Sequence, residues 1–465
     1  MKKIALIGLG PHAKRIYYKF IENDVLKNTL FFSVLVELES KKKEVECFFE
    51  NKVVKPKYIL YVPDKGQIVP RNINWILKHN LDKIIEKSEI DCVVISTEPK
   101  AHKIYLDYFI SQKIPCLTDK PIVAREGLSY NKNAPERQYK DVLNLSKKSL
   151  ENKTRILVLV QRREHVAYKF IFKKALEVVQ KFGVPISYFH IYHSDGTWNM
   201  PDDFNLRENH PYKYGYGKLM HSGYHFIDLV AWIAEINKTL SDSICITTES
   251  KFISPNQQYN QINGKRLYKQ LFNKETDFHK NKKFGEVDCY SNISMFRCNK
   301  PIPDNILSYG TIDLLQSGFS KRAWFDIAKD TYKGNGRLRH ESINLNIGPL
   351  CNIQLHSYQS NEVGKSDLFG VGGEEHLDVY VFRNSKLIGG KNFEVFNFGE
   401  NLHKKHAGRE DFYIGQNELS RHVIFRQLIN NDLSSVSIDK QLLTNRLLAS
   451  FYKSGSCKKL ITNII

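Results

Sequence analysis

The first thirteen residues restrict this chain to very few folds. Lys3-Ile4-Ala5-Leu6-Ile7 is a short apolar run, and Gly8-Leu9-Gly10-Pro11-His12-Ala13 follows at once, ahead of a helical pattern from Lys14 to Ile21. A strand that turns through paired glycines into a helix opens a doubly wound, parallel α/β sheet that binds a dinucleotide. Gly8 permits the tight turn, Gly10 lets the backbone approach a pyrophosphate, and Ala13 allows close helix–strand packing. Pro11 and His12 belong to the same turn, where free N–H groups and the positive end of the helix dipole suit phosphate. An ordinary strand–helix turn is the plainer reading of these residues, so the segments downstream must decide.

A second strand, Phe31 to Val36, ends at Glu37. A carboxylate there accepts hydrogen bonds from the adenosine ribose, which favours NAD. Lys41, Lys42 and Lys43 follow, and they either attract the 2′-phosphate of NADP or form a solvated face. Asp91 to Thr97 has the continuously apolar centre of a buried parallel strand. Glu98-Pro99-Lys100-Ala101-His102 then turns the chain into a helix running to about Gln112. Ile114 to Thr118 is the next strand, and Asp119-Lys120-Pro121 closes it. Open α/β sheets bind ligands outside the carboxyl ends of their strands, so topology alone puts Lys120 near a cofactor.

Four motifs in this order resemble the glucose–fructose oxidoreductase / inositol dehydrogenase (Gfo/Idh/MocA) family. They are Gly8 to Ala13, Thr97-Glu98-Pro99-Lys100-Ala101-His102, Asp119-Lys120-Pro121, and the run Gly217 to Asp228 containing His221 and His225. The resemblance covers residues 1 to about 235 and the tail Arg421 to Ser454, whereas 240 to 405 match only in general character. It implies a Rossmann domain followed by an α+β domain with a large, mostly antiparallel sheet, often an oligomer interface, and hence a homodimer or homotetramer. It also implies NAD, or NADP, held by Gly8, Gly10, Pro11, His12, Ala13, Glu37, Thr97, Pro99, His102, Asp119 and Lys120. Two departures stand out. Asp119 replaces the usual glutamate, and His221 stands where the family usually has an aspartate, which changes the charge of the catalytic pocket.

Oxidising a secondary alcohol requires loss of the hydroxyl proton as hydride leaves the carbon. A partly desolvated lysine beside a cationic ring has a depressed pKa and can move that proton near neutral pH. In the family the lysine and the later histidine share this work, which points to Lys120 and His225, with His221 as a third catalytic candidate. His221 and His225 are spaced i, i+4 and share one face if this stretch is helical. Asp228 would then orient the His225 ring. Taken alone, His225 reads equally as a satisfied buried histidine. His221, His225 and Asp228 also make a conceivable metal-ligand set. Ser222 stands where the zinc-peptidase pattern needs glutamate, however, and no further ligand is near, so no metal is expected.

Substrate contacts are less specific. Ile156 to Val160 is a further strand, followed by Gln161-Arg162-Arg163. Arg162 or Arg163 either binds a substrate phosphate or carboxylate or pairs with a surface acid. Trp198 either stacks on a sugar or base or packs. Tyr212, Tyr214 and Tyr216, with Lys213 and Lys218, are expected to line the cleft. The expected substrate set is Lys120, Arg163, Trp198, Tyr216, His221 and His225.

At 465 residues the chain should hold two domains, residues 1–162 and 163–465. His376 to Phe382 and Asn392 to Phe398 read as strands of the second. Polar stretches at 254–284 and 329–345 read as loops or insertions, and 50–80 and 125–140 exceed a minimal Rossmann connection. Such loops are where selectivity resides. The net charge is +19, but the lysines are spread along the chain and no nucleic-acid motif is present. An anionic small molecule, such as a phosphorylated or nucleotide-linked sugar, suits that charge better than nucleic acid. Eight cysteines without a CxxC pair fit a reducing cytoplasm, and no run approaches the ~20 apolar residues of a membrane span. The expected activity is an NAD(P)-dependent oxidoreductase acting on a sugar, cyclitol or nucleotide-sugar hydroxyl. A catalytically silent NAD-binding sensor and a redox-neutral enzyme with tightly bound NAD are the alternatives.

Overall fold

The computed structural model describes residues 1–64, 75–207, 210–272, 283–298, 300, 305–320, 338–360, 376–399 and 417–464. Two compact units emerge, each drawing on three stretches of chain. One gathers Met1–Ala124, Gln138–His165 and Arg409–Leu442; the other gathers Arg125–Arg137, Val166–Gly408 and Leu443–Ile465. A single cut after residue 162, as expected from sequence, does not describe this partition.

The first unit holds β1 (Lys2–Ile7), β2 (Leu30–Leu38), β3 (Tyr58–Val62), β4 (Cys92–Ile95), β5 (Cys116–Thr118) and β6 (Ile156–Val158). All pair parallel, in the order β3-β2-β1-β4-β5-β6. That is the dinucleotide-binding order in which the chain reverses beside β1. All four residues of β4 are buried, which explains its unbroken apolar run. The helix expected from Lys14 starts at Pro11 instead and breaks at Ile16, giving Pro11–Arg15 and Tyr17–Leu26. A late helix, Glu418–Asn430, returns to this unit. Its Phe425 ring lies 5.5 Å from Phe20, and Arg426 donates to the buried Asp24 at 2.6 Å.

The second unit is built on β7 (Tyr188–Ser194), β8 (Ile244–Ile253), β9 (Asp288–Arg297), β10 (Ile306–Leu315), β11 (Leu338–Ile347), β12 (Cys351–Ser360), β13 (Leu377–Arg383), β14 (Phe393–Asn397) and β15 (Ile461–Ile464). The order is β14-β13-β12-β11-β7-β10-β9-β8-β15. Only β7 and β10 pair parallel. Ile191, Ile343, Leu345, Ile353, Leu355, Val379 and Val381 are fully buried, while their neighbours in sequence are mostly half-exposed. This period-two alternation gives the sheet one dry face and one wetter face. Helices Val166–Phe182 and Tyr224–Lys238 belong to the same core, where Phe172 stacks on Trp232 at 4.2 Å. The fold class is therefore the expected one: a parallel Rossmann sheet and a large, mostly antiparallel sheet.

Three local expectations need correction. Part of the polar stretch 254–284 is helical, as Pro255–Gln261 and Gly264–Phe272, because Ser254 and Gln257 form a capping box that starts the first helix. β11 begins inside the stretch 329–345, at Leu338, while 329–337 lie outside the described residues. Cys245 and Cys298 are joined as a disulfide, a pair that the reading of cysteine usage as fitting a reducing cytoplasm did not foresee, because antiparallel pairing of β8 with β9 brings them together. No described helix is long and apolar enough to cross a membrane.

Candidate active site

In the first unit the glycine turn is defined by close approach. Gly8 has φ of +89°, and an added Cβ would meet Ser96 O at 2.7 Å, so only glycine fits. Its N–H donates to Val36 O at 2.9 Å. Beside Gly10, by contrast, an added Cβ meets nothing within 4 Å. Gly10 is the N-cap of helix Pro11–Arg15, Ala13 is buried, and no described side chain caps the helix. Glu37, at the end of β2, accepts from Leu9 N–H at 2.5 Å and Leu38 N–H at 2.9 Å. Its carboxylate thus ties β2 to the glycine turn.

Asp119 extends from the end of β5. It accepts from Tyr17 Oη–H at 2.5 Å and Ser96 Oγ–H at 2.6 Å, and His12 Nε2 lies 3.5 Å from the oxygen that Tyr17 holds. Burial acts to raise its pKa, but His12 and these hydrogen bonds outweigh burial and hold the carboxyl well below the usual carboxylate range. The buried His102 ring lies 3.0 Å from Pro121 O and 3.1 Å from Thr97 O, and burial lowers its pKa. It pins the Thr97 turn to the residue after Lys120. The Thr97 methyl group lies against Gly8, Pro99 starts helix Pro99–Ser111, and Lys120 is half-buried with a cis bond to Pro121. The carboxyl ends of β1, β4 and β5 therefore gather Gly8, Thr97, His102, Asp119 and Lys120. Arg162 and Arg163 occupy a single turn after β6 and are both buried.

In the second unit the histidines do not follow one regular helix. Gly223 N–H donates to Lys218 O, five residues back, at 2.8 Å, making Leu219–Gly223 a π-turn ahead of helix Tyr224–Lys238. This wider turn corrects the expectation that His221 and His225 share an α-helical face; such insertions are frequent at functional sites. His221 stacks on His210 at 4.9 Å and meets Tyr212 and Tyr216 edge-on at 5.0 and 6.1 Å. His225 is buried, and the fully buried Asp228 accepts from Thr444 Oγ1–H at 2.7 Å. Trp198 donates to Tyr268 Oη at 2.9 Å and stacks on its ring at 5.5 Å, so packing already occupies its indole. Among the described residues, no three His, Cys, Asp or Glu side chains gather as a metal-ligand set.

A buried polar network beneath the π-turn was missed in the sequence. Lys218, expected to line the cleft, is fully buried, with Nζ 2.7 Å from Asp195 Oδ2 and 2.8 Å from His193 Nδ1. A lysine has no acceptor, so His193 Nδ1 accepts and the ring carries its proton on Nε2. That nitrogen lies 3.7 Å from Glu341, whose other oxygen accepts from Tyr168 Oη–H at 2.5 Å. Ser222 Oγ–H donates to Asp195 Oδ2 at 2.6 Å. The available signal was alternation: His193 continues the inward series Phe189, Ile191 along β7, where a histidine needs a buried partner. Glu286 was missed as well. It is buried and accepts from Leu219 N–H, Ser129 Oγ–H and Tyr452 Oη–H, and burial raises its pKa despite these bonds.

No protein-family model and no curated protein matches the sequence. Solved structures do. The WlbA dehydrogenase from Bordetella pertussis, crystallised with NADH and UDP-GlcNAcA, is similar over 99% of this chain and 98% of its own, with a TM-score of 0.56 at 11% identity. The scyllo-inositol dehydrogenase from Lactobacillus casei is similar over 99% and 98%, with a TM-score of 0.53 at 10% identity. The aldose–aldose oxidoreductase from Caulobacter crescentus is similar over 99% of both chains, with a TM-score of 0.55 at 12% identity. Strand order, motif order and these likenesses agree that this chain has the fold of the Gfo/Idh/MocA-type dehydrogenases.

Proposed function

We propose that the protein is an NAD(P)-dependent oxidoreductase that transfers a hydride between the nicotinamide and a hydroxyl-bearing carbon of a sugar, cyclitol or nucleotide-sugar. The observation that carries this reading is the anchored Asp119-Lys120 pair beside the glycine turn. The open space at Gly10 and the uncapped helix behind it fit a dinucleotide pyrophosphate. The bound dinucleotide supplies the hydride acceptor.

The chain's own residues do the rest. Asp119 is committed to Tyr17, Ser96 and His12, so it stays ionised and fixes the backbone of Lys120 rather than exchanging protons. Lys120 Nζ takes the substrate hydroxyl proton as the carbon is oxidised, and His225 shares that proton path. His221, in its aromatic box, replaces a carboxylate with a neutral or cationic ring and so favours an anionic substrate group, with Arg163 and Tyr216 as further contacts. Trp198 contributes to the wall through Tyr268. The soluble homo-oligomer and cytoplasmic setting expected from sequence belong to this same reading.

The test follows reduced-cofactor absorbance and thermal shift with NAD or NADP and a panel of sugars, cyclitols and nucleotide-sugars. Turnover that vanishes in Lys120→Ala while the cofactor shift persists supports the dehydrogenase. A strong cofactor shift with no turnover across the panel favours the sensor or redox-neutral alternative, and no shift with either cofactor overturns the reading.

A further inference from the structure

The second unit contains a cavity of about 860 Å³ that none of the residues assigned to cofactor or substrate lines. Its size falls within the range of small-molecule sites. It opens between the end of β8, helix Pro255–Gln261, the end of helix Leu442–Cys457 and the Ser129-Tyr130 segment. Three aromatic rings, Tyr130, Phe252 and Phe284, form its walls. Phe252 can lie there because residue 455 is glycine: a Cβ at Gly455 would meet the Phe252 ring at 2.3 Å. Phe284 belongs to a packed cluster with Phe204 and Tyr212, and Tyr212 in turn touches His221, so this cluster lies between the cavity and the histidine turn.

Charge is what gives the cavity a preference. Lys251, Lys283 and Lys458 all line it, and none of the three forms an ion pair with a described residue. Lys283 lies over the Tyr130 ring at 5.4 Å, its ammonium still available on the other side. Two carboxylates also line the cavity. Glu286 is buried, its oxygens held by Leu219, Ser129 and Tyr452, and with Glu249 it makes two acids against three ammonium groups, an excess of positive charge. Unneutralised like charges around one concave surface repel each other and favour an anion between them. A further group points to a ligand. Asn256 Oδ1 is buried and accepts no hydrogen bond, although an unpaired buried acceptor costs free energy unless something donates to it.

From this combination we infer a second ligand site, one that takes an organic phosphate monoester, not a dinucleotide, carrying a ring and at least one hydroxyl or N–H donor. The phosphate meets Lys251, Lys283 and Lys458, the ring lies against Phe252, Phe284 and Tyr130, and the donor reaches Asn256 Oδ1. The site stands whether or not the oxidoreductase reading holds, because it shares no residue with that site.

The experiment is isothermal titration of the full chain with phenyl phosphate and, separately, inorganic phosphate, each with and without saturating NAD. Phenyl phosphate is expected to bind saturably at one site, more tightly than inorganic phosphate and unaffected by NAD. The pair Lys251→Ala/Lys283→Ala is expected to weaken it by roughly tenfold or more, as loss of charge-assisted bonds implies. Phe252→Leu should weaken phenyl phosphate but not inorganic phosphate. The pair Lys27→Ala/Lys153→Ala, in the first unit and not among the residues lining the cavity, should change neither. Absence of saturable binding, equal loss in the first-unit pair, or competition by NAD would each overturn the assignment. Circular dichroism that matches wild type confirms that each variant is folded.

Discussion

Lys218 Nζ and Ser222 Oγ converge on one oxygen, Oδ2 of Asp195, at 2.7 and 2.6 Å. The two donors stand at either end of the π-turn that carries His221, so a single buried carboxylate clamps the turn to the end of β7. The clamp includes an ion pair with side chains 0% and 8% exposed. Such a pair contributes little over an apolar substitute, but breaking it leaves an uncompensated charge in a dry site.

Lys218→Met is therefore expected to destabilise the protein, by at most about 3–5 kcal/mol, since Asp195 keeps its charge and is left with the longer ion pair to Arg339 at 3.8 Å. Adding Asp195→Asn should recover most of that loss. Urea unfolding of the two single variants and the double variant forms the cycle, and additive losses would refute the pairing.

The two glycines of the turn should separate stability from binding. Gly8→Ala is expected to cost more than about 1 kcal/mol, because alanine is strained at φ +89° and its methyl meets Ser96 O. Gly10→Ala faces open space, so its melting temperature should stay near wild type while the NAD-induced thermal shift falls. Equal melting temperatures for the two variants would contradict this account.

Acid should reveal Asp119. Its folded-state pKa lies below the unfolded value of about 3.9. The sign follows: the stabilisation is fully present above the unfolded value and is lost as pH falls through the folded one. Asp119→Asn should thus be clearly less stable than wild type at pH 7, with the gap closing as pH drops below 4. A gap that does not depend on pH would assign the loss to packing.

Glu286 should behave in the opposite way. Burial raises its pKa, so ionisation is a penalty present above the folded value and relieved as pH falls through it. Glu286→Gln keeps an acceptor for Leu219 N–H and Tyr452 Oη–H without the charge. It is expected to match or exceed wild-type stability at pH 8 and to lose that advantage as pH falls. Melting temperatures across that range decide it.

What could be read directly from the residues was local or periodic. The apolar run before Gly8, the continuous burial of Cys92 to Ile95 and the alternation along β13 are properties of neighbours in the chain, and backbone sterics and burial act on them at short range. Lys120 was located the same way, by its place at the end of an apolar strand. The partners of those residues were not legible. Tyr17 reaches Asp119 across 102 positions, and Tyr452 reaches Glu286 across 166. Lys218 reads from sequence as a residue lining the cleft, because nothing in the nearby sequence marks a carboxylate 23 positions away as its counter-ion. The π-turn that carries His221 escaped for a related reason: helical spacing is the default, and Asp195, which holds both ends of the turn, is distant in sequence. Hydrogen bonds and ion pairs depend on geometry to a few tenths of an ångström, which packing sets after distant segments meet, whereas apolar periodicity survives without knowledge of any partner.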